Sequence, residues 1–268
     1  MDAGIDFGST LVKAYWVKGG AINFATGAKH SDAEIAEYMR RDGVSRLRVV
    51  GTGRAAAEER FPDFNRVLCT GDPIADEITM QAAGVRYLLD RSTRCPSKFI
   101  IASIGTGVSY TMVKGNKVKR SPLGSAHGGG TIMGLAGLIG ILSFTDLEAA
   151  ASGGTPQDLL VKHQLPETDG TPLGELIIAH FNRRTNFMDA SAGILSFAAA
   201  SIFKDIAVLR SIPFSPKEVV FIGSPVSASP TLRAYLRRYA PHLKGTTMHF
   251  LEHGEFSAAI GAYLDLAR

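Results

Sequence analysis

Three times in this chain an apolar, β-branched strand runs straight into a glycine turn: GIDFGST at 4–10, SIGTGVS at 103–109 and FIGSP at 221–225. A fourth glycine run, Gly128, Gly129 and Gly130, opens a helix. Glycine at a tight turn lets the backbone approach a ligand closely and present convergent N–H donors, which is what the phosphates of a nucleotide require. One such turn is an ordinary hairpin signal. Two strand–glycine–strand hairpins, each carrying hydroxyls and separated by about a hundred residues, predict two related halves that grip a nucleotide from both sides. Neither a GxxxxGK[ST] loop nor a GxGxxG after a strand is present, so the P-loop and Rossmann fingerprints are missing.

Strand-like and helix-like segments alternate around these turns, which predicts an α/β protein. Short strands are expected at 2–7, 14–18 and 21–25, and a helix at 32–41 with Ser31 or Asp32 as its N-cap. The stretch 47–53 reads as a strand ending in a glycine turn that opens a helix at Arg54. A longer helix over 73–90 has apolar residues at Ile78, Ala82, Val85 and Leu89. Residues 99–107 read as a buried strand with 108–113 as its hairpin partner, followed by a helix from near Thr131. The stretch 144–188 is the least regular. A long helix over 189–211 is apolar on most faces and is expected to be buried. A strand at 219–225, a helix at 230–239 with Ser227 and Ser229 as capping candidates, a strand at 247–251 and a helix at 256–266 complete the chain.

The 268 residues suit two modest domains or one large α/β unit, and a 45% hydrophobic content excludes wholesale disorder. With 29 Lys and Arg against 25 Asp and Glu, the excess is too dispersed to argue for nucleic acid. Its densest knot, Lys114, Lys117, Lys119 and Arg120, lies in a hairpin-like stretch and reads as a solvated face. Cys69 and Cys95 have neither a metal-ligand spacing nor a disulfide framework, which points to a reducing, cytoplasmic setting. No unbroken run of about 18 apolar residues exists, so a membrane-spanning helix is not expected, and the N-terminus lacks the order of a signal peptide. The seven His residues make no metal set, and no GxSxG elbow supports a hydrolase.

Asp6 precedes the first glycine turn, where a carboxylate can hold Mg²⁺ through its waters. Gly8, Ser9, Thr10 and Lys13 offer backbone, hydroxyl and ammonium groups to phosphates. Gly105, Thr106 and Gly107 offer the same from the second turn, and Gly128–Gly130 lie where a helix dipole favours an anion. On spacing alone, Glu77 is a first-turn carboxylate of the 73–90 helix.

The order of segments resembles the actin, Hsp70 and sugar-kinase superfold. GIDFGSTLVK stands where its first phosphate loop lies, SIGTGVS at its second, VVFIGSPVSASPTLRAYL at its adenosine segment and HGEFSAAIGAYL at its closing helix. Within it, ASIGTGVSY, the GGGTIMGL helix start, DLLVKH at 158–163 and EFSAAIGA resemble the type II pantothenate kinase family. The resemblance implies two ribonuclease-H-like lobes, 1–95 with the closing helix 255–268 and 96–254, with ATP and Mg²⁺ between them. It implies phosphorylation of the primary hydroxyl of pantothenate in the first step toward coenzyme A, with Glu77 as base rather than its neighbour Asp76. It further implies Arg120 as anchor of the substrate carboxylate, Gly223 and Ser224 flanking the nucleoside, and a homodimer. The chain departs from the family between Arg120 and the glycines, where it reads RSPLGSAHGGG. GIDFGSTLVK, VVGTGR and EITMQAAGVRYL also resemble the ATPase activators of 2-hydroxyacyl-CoA dehydratases and benzoyl-CoA reductases, and a nucleotide-binding sensor on the same fold is a third reading.

Overall fold

The computed structural model describes residues 1–28, 30–68, 71–92, 94–182 and 186–267, leaving Cys69 outside the described residues. Strands β1 (Asp2–Phe7), β2 (Val12–Lys18) and β3 (Ala21–Thr26) form an antiparallel meander. Helix α1 (Asp32–Arg41) leads to β4 (Arg46–Val50), and α2 (Ala57–Arg60) leads to β5 (Asn65–Val67). Helix α3 (Pro73–Ser92) precedes β6 (Lys98–Ile104), β7 (Val108–Lys114) and β8 (Lys117–Ser125). Then come α4 (Gly129–Leu138), α5 (Phe144–Ser152), the short pair β9 (Leu159–Leu160) and β10 (Ile177–Ala179), and α6 (Phe187–Ser211). The chain continues through β11 (Glu218–Ile222), α7 (Ser224–Ala228), α8 (Pro230–Arg238), β12 (Thr247–Phe250) and α9 (Ser257–Leu266).

Both large sheets have the same order. The first runs β3-β2-β1-β4-β5 and the second β8-β7-β6-β11-β12, so a meander of three strands is followed in each by two strands added on the other side. In the first, β4 is parallel to β1 and β5; in the second, β11 is parallel to β6 and β12. The central strands β1, β6 and β11 are buried nearly throughout, as parallel neighbours covered on both faces demand. Ser31, not Asp32, caps α1, in a reciprocal capping box with Glu34, and the helix turns Ile35, Ala36 and Met39 inward.

By contacts the chain divides into two compact units: Met1–Ser97 with Thr111–Arg120 and Leu251–Arg268, and Lys98–Tyr110 with Ser121–Phe250. The outer end of the β7–β8 hairpin, expected to belong with 96–254, groups with the first unit. Arg86 on α3 donates to the Gly115 carbonyl at the hairpin tip, and the Gly115 N–H bonds to Ser97 O. In the first unit α3 and α9 cross in backbone contact, since Gly84 lies against Ser257 O and Gly261 against Met80 O.

In the second unit α6 buries the stripe Ala192, Leu195, Ala199, Ile202, Ile206 and Leu209, the spacing of one helical face. Charged residues break its apolar run, yet by length and composition it is long and apolar enough to cross a membrane; the buried stripe is where that apolarity is used. The stretch expected to be least regular contains α5, whose N-cap Ser143 accepts from the Asp146 N–H at 3.1 Å.

Candidate active site

The first glycine turn is a β-hairpin whose register places two charges face to face. Asp6 and Lys13 are cross-strand partners in the β1–β2 ladder, so their side chains share a face. Lys13 Nζ lies 3.7 Å from Asp6 Oδ2, and both side chains are nearly buried. Burial pushes the Asp6 carboxyl above its ordinary range, against the pull of the Lys13 ammonium. Gly8 N–H bonds to Leu11 O at 3.2 Å to close the turn, leaving Ser9 and Thr10 at its exposed tip.

A second turn is built onto this one. After β4 the chain enters Gly51 at φ +98°, a left-handed conformation that side chains resist. A Cβ there would also stand 2.8 Å from Asp6 Oδ1. The Gly53 N–H bonds to Phe7 O at 2.8 Å, which fixes the residue that follows, Arg54, beside the first glycine turn.

Glu77 lies in the first turns of α3, half-buried. Burial raises its carboxyl, and the Asp6 charge raises it further, while Arg120, Lys13 and Arg54 pull it down. Asp6, Lys13, Glu77 and Arg120 are therefore gathered in one compact unit. Arg54 joins them although the sequence marked it only as a helix start. Its signal was the VVGTGR turn, whose glycines are explained by the close approach to β1.

In the second unit the SIGTG turn is held by the helix that follows the glycine run. Gly129 N–H donates to Gly105 O at 2.7 Å and Gly130 N–H to Thr106 O at 2.9 Å. These two donors, expected to face an anion, are engaged in shaping the turn. Gly223 adopts φ +109° where the end of β11 passes Ile104, and Pro225 packs toward Gly129, so Gly223 and Ser224 adjoin the same glycine helix. The unusual RSPLGSAH link is absorbed by β8, with Ser121 Oγ accepting from Leu123 N–H at 3.1 Å. His127, just before the glycines, is held by Ser201, with 2.7 Å between its Nδ1 and the Ser201 Oγ.

The DLLVKH segment lies elsewhere in the second unit and lines a cavity of about 570 Å³ with Tyr235 and Arg238. Its charges are closed on themselves: Asp158 binds Ser196 and His180, Lys162 binds Glu175 and Asp169, and Arg238 binds Glu175. Ser229 caps α8, accepting from Leu232 N–H at 2.8 Å, as expected of one of the two serines there.

Solved structures with the same architecture include the activator of the 2-hydroxyisocaproyl-CoA dehydratase from Clostridium difficile with bound ADPNP. It is 16% identical, with 98% of this chain and 93% of that one covered, at a TM-score of 0.64. A ROK family glucokinase from Streptomyces griseus, in complex with glucose and AMPPNP, is 14% identical over 99% of this chain and 98% of its own, at a TM-score of 0.58. The chain thus has the actin-like ATPase and sugar-kinase fold. Residues 88–265 match the Fumble family model, and the type II pantothenate kinase of Staphylococcus saprophyticus is 26% identical over 98% of this chain and 99% of its own. The chain belongs to the Fumble family, that of the type II pantothenate kinases.

Proposed function

We propose that this protein transfers the γ-phosphoryl group of ATP to the primary hydroxyl of pantothenate, the first step toward coenzyme A. The observation that carries the reading is Glu77, a half-buried carboxylate beside Asp6, Lys13 and Arg120, in a chain of this family. Glu77 accepts the hydroxyl proton as the oxygen attacks phosphorus, and its raised pKa makes it a stronger base than an exposed carboxylate. Arg120 is exposed and its guanidinium makes no hydrogen bond or ion pair with another described residue, so its planar fork is available to the carboxylate of pantothenate.

Gly8, Ser9, Thr10 and Lys13 serve the phosphates from the first turn, and Gly105, Thr106 and Gly107 from the second, with Gly128, Gly129 and Gly130 as its support. Gly223 and Ser224 flank the nucleoside. Asp6 suits Mg²⁺: it is a buried carboxylate whose pKa burial raises despite Lys13 at 3.7 Å, so a cation beside it would favour its charged form. A single carboxylate fits a small cation that retains its waters. When bound, Mg²⁺ neutralises phosphate charge. A homodimer accompanies the family reading, supported by Leu138 and Leu142, each more than four-fifths exposed; sedimentation at twice 28.6 kDa is expected, and a monomer would remove that part. A cytoplasmic location goes with the same reading.

The test is a coupled ADP-release assay over a panel of hydroxylated acceptors. Release that depends on pantothenate supports the proposal. Release without any acceptor, or with pantetheine alone, overturns the substrate assignment.

A further inference from the structure

Four charged groups act on Glu77, namely Asp6, Lys13, Arg120 and Arg54, and the kinase reading uses three of them. Lys13 is engaged with Asp6, and Arg120 is assigned to the acceptor. Arg54 is left over. It is half-buried, and its guanidinium makes no hydrogen bond or ion pair with another described residue. Other arginines of the same segment are occupied: Arg60 pairs with Asp32, and Arg66 donates to the carbonyls of Phe61, Pro62 and Phe64. A guanidinium that no protein group engages is available to an anionic ligand.

Its position says which ligand. Arg54 does not stand on the hairpin that carries Arg120. It follows the Gly51–Gly53 turn, which is bonded to Phe7 O and pressed against Asp6, the end of β1 from which the first glycine turn springs. The backbone of Arg54 therefore adjoins the first glycine turn, to which the kinase reading assigns the phosphates. A phosphoryl group in flight spreads charge over its three equatorial oxygens, and a guanidinium beside them lowers the barrier.

We propose that Arg54 is a further catalytic residue, its guanidinium bonding the terminal phosphoryl group of ATP as that group passes to the acceptor. The proposal rests on the kinase reading, and its test separates the two. Affinities for Mg·AMPPNP and Mg·ADP are measured for the wild type, Arg54→Ala and Arg54→Lys, alongside steady-state kinetics and melting curves. Arg54→Ala is expected to bind AMPPNP about tenfold more weakly and ADP unchanged, because only the former has a third phosphate. Its kcat should fall by about 10²–10³-fold, with the acceptor KM within about threefold and part of the rate restored by added guanidinium. Arg54→Lys, which keeps the charge and loses the fork, should lie between.

Equal weakening for both nucleotides, no weakening, or a raised acceptor KM with kcat intact would each overturn the assignment. A wild type that binds both nucleotides yet phosphorylates no acceptor sinks the kinase reading while the affinity comparison still judges Arg54. A wild type that binds neither nucleotide sinks both.

Discussion

Asp76 and Glu77 are consecutive residues of α3, a turn of about 100° apart on the helix, and their carboxylates meet opposite surroundings. Asp76 is almost buried and binds the Arg48 guanidinium, which also holds Asp265 of α9 at 2.9 Å. Arg48 is 6% exposed, so this network locks β4, α3 and α9 together. Glu77 lies among the charges of Asp6, Lys13, Arg54 and Arg120, with its pKa raised and its carboxylate in no hydrogen bond with another described residue. A closed ion network spends its charges on the fold, whereas an open one keeps them for a ligand. Burial alone does not separate the two carboxylates; the partners do.

The sharpest way to break this contrast is to neutralise each carboxylate in turn. Glu77→Gln should lose about 10³-fold or more in kcat, keep its nucleotide affinity and melt at or above the wild-type temperature. Asp76→Asn should do the reverse, keeping kcat within about threefold while melting earlier. If Asp76→Asn were the inactive variant, the roles assigned to the two residues would have to be exchanged. The raised Glu77 pKa also predicts an acidic limb: kcat/KM should climb with pH through that pKa, and Glu77→Gln should flatten it.

The next effect in size belongs to Arg48. Arg48→Met removes the shared partner and strands Asp76, nearly buried, and Asp265, which is partly exposed. A loss of about 2–3 kcal/mol is expected, lowering Tm by roughly 5–10 °C for a chain of this size. The kcat per folded molecule should not change. A fall in kcat at temperatures where the variant is fully folded would mean that the closed network feeds the open one.

Arg120 gives a smaller and more selective effect. Arg120→Ala should raise the acceptor KM by about 10–50-fold with kcat and the ATP KM within a few-fold, the sign of lost ground-state binding. An unchanged acceptor KM would detach Arg120 from the acceptor.

How much of this was readable without coordinates depends on how far apart the partners lie. The glycine turns and the strands around them follow from local pattern, because a hairpin pairs near neighbours in sequence; the Asp6–Lys13 pairing does not, since β2 begins at Val12 and not at the expected residue 14. Glu77 could be found only through the family resemblance, since a carboxylate in the first turn of a helix has an ordinary explanation in the helix dipole. Arg54 was invisible because its meaning depends on Gly53 reaching Phe7, a contact between two strands joined through α1. Arg120 reads by composition as part of a solvated basic face and becomes an anchor through the family resemblance; Arg86 and Ser97, both bonded to Gly115, tie the tip of its hairpin to the first unit. The glycines of α4 were legible as a helix start, but not the carbonyls that take up their N–H groups. Helix α5 was lost among glycine and proline breaks, although its Ser143–Asp146 cap lay in plain sight.

The last and smallest effect concerns stability at Asp6. Its native pKa lies above the unfolded value of 3.8 because burial outweighs the Lys13 attraction. The native state therefore holds this proton more tightly than the unfolded chain does. As pH rises from near 3.8 through the native pKa, ionisation withdraws stability, and above that pKa the cost is constant. Asp6→Asn removes this cost and should raise Tm at pH 7, while Mg²⁺-dependent turnover falls, a trade expected where function keeps a strained group. The gain should shrink as pH is lowered through the native pKa, because the wild-type carboxyl is then also neutral; urea melts of both proteins across that range measure it. A variant that is less stable at pH 7 would mean that the Lys13 pair outweighs desolvation. Asp6 would then join Asp76 among the carboxylates that hold the fold.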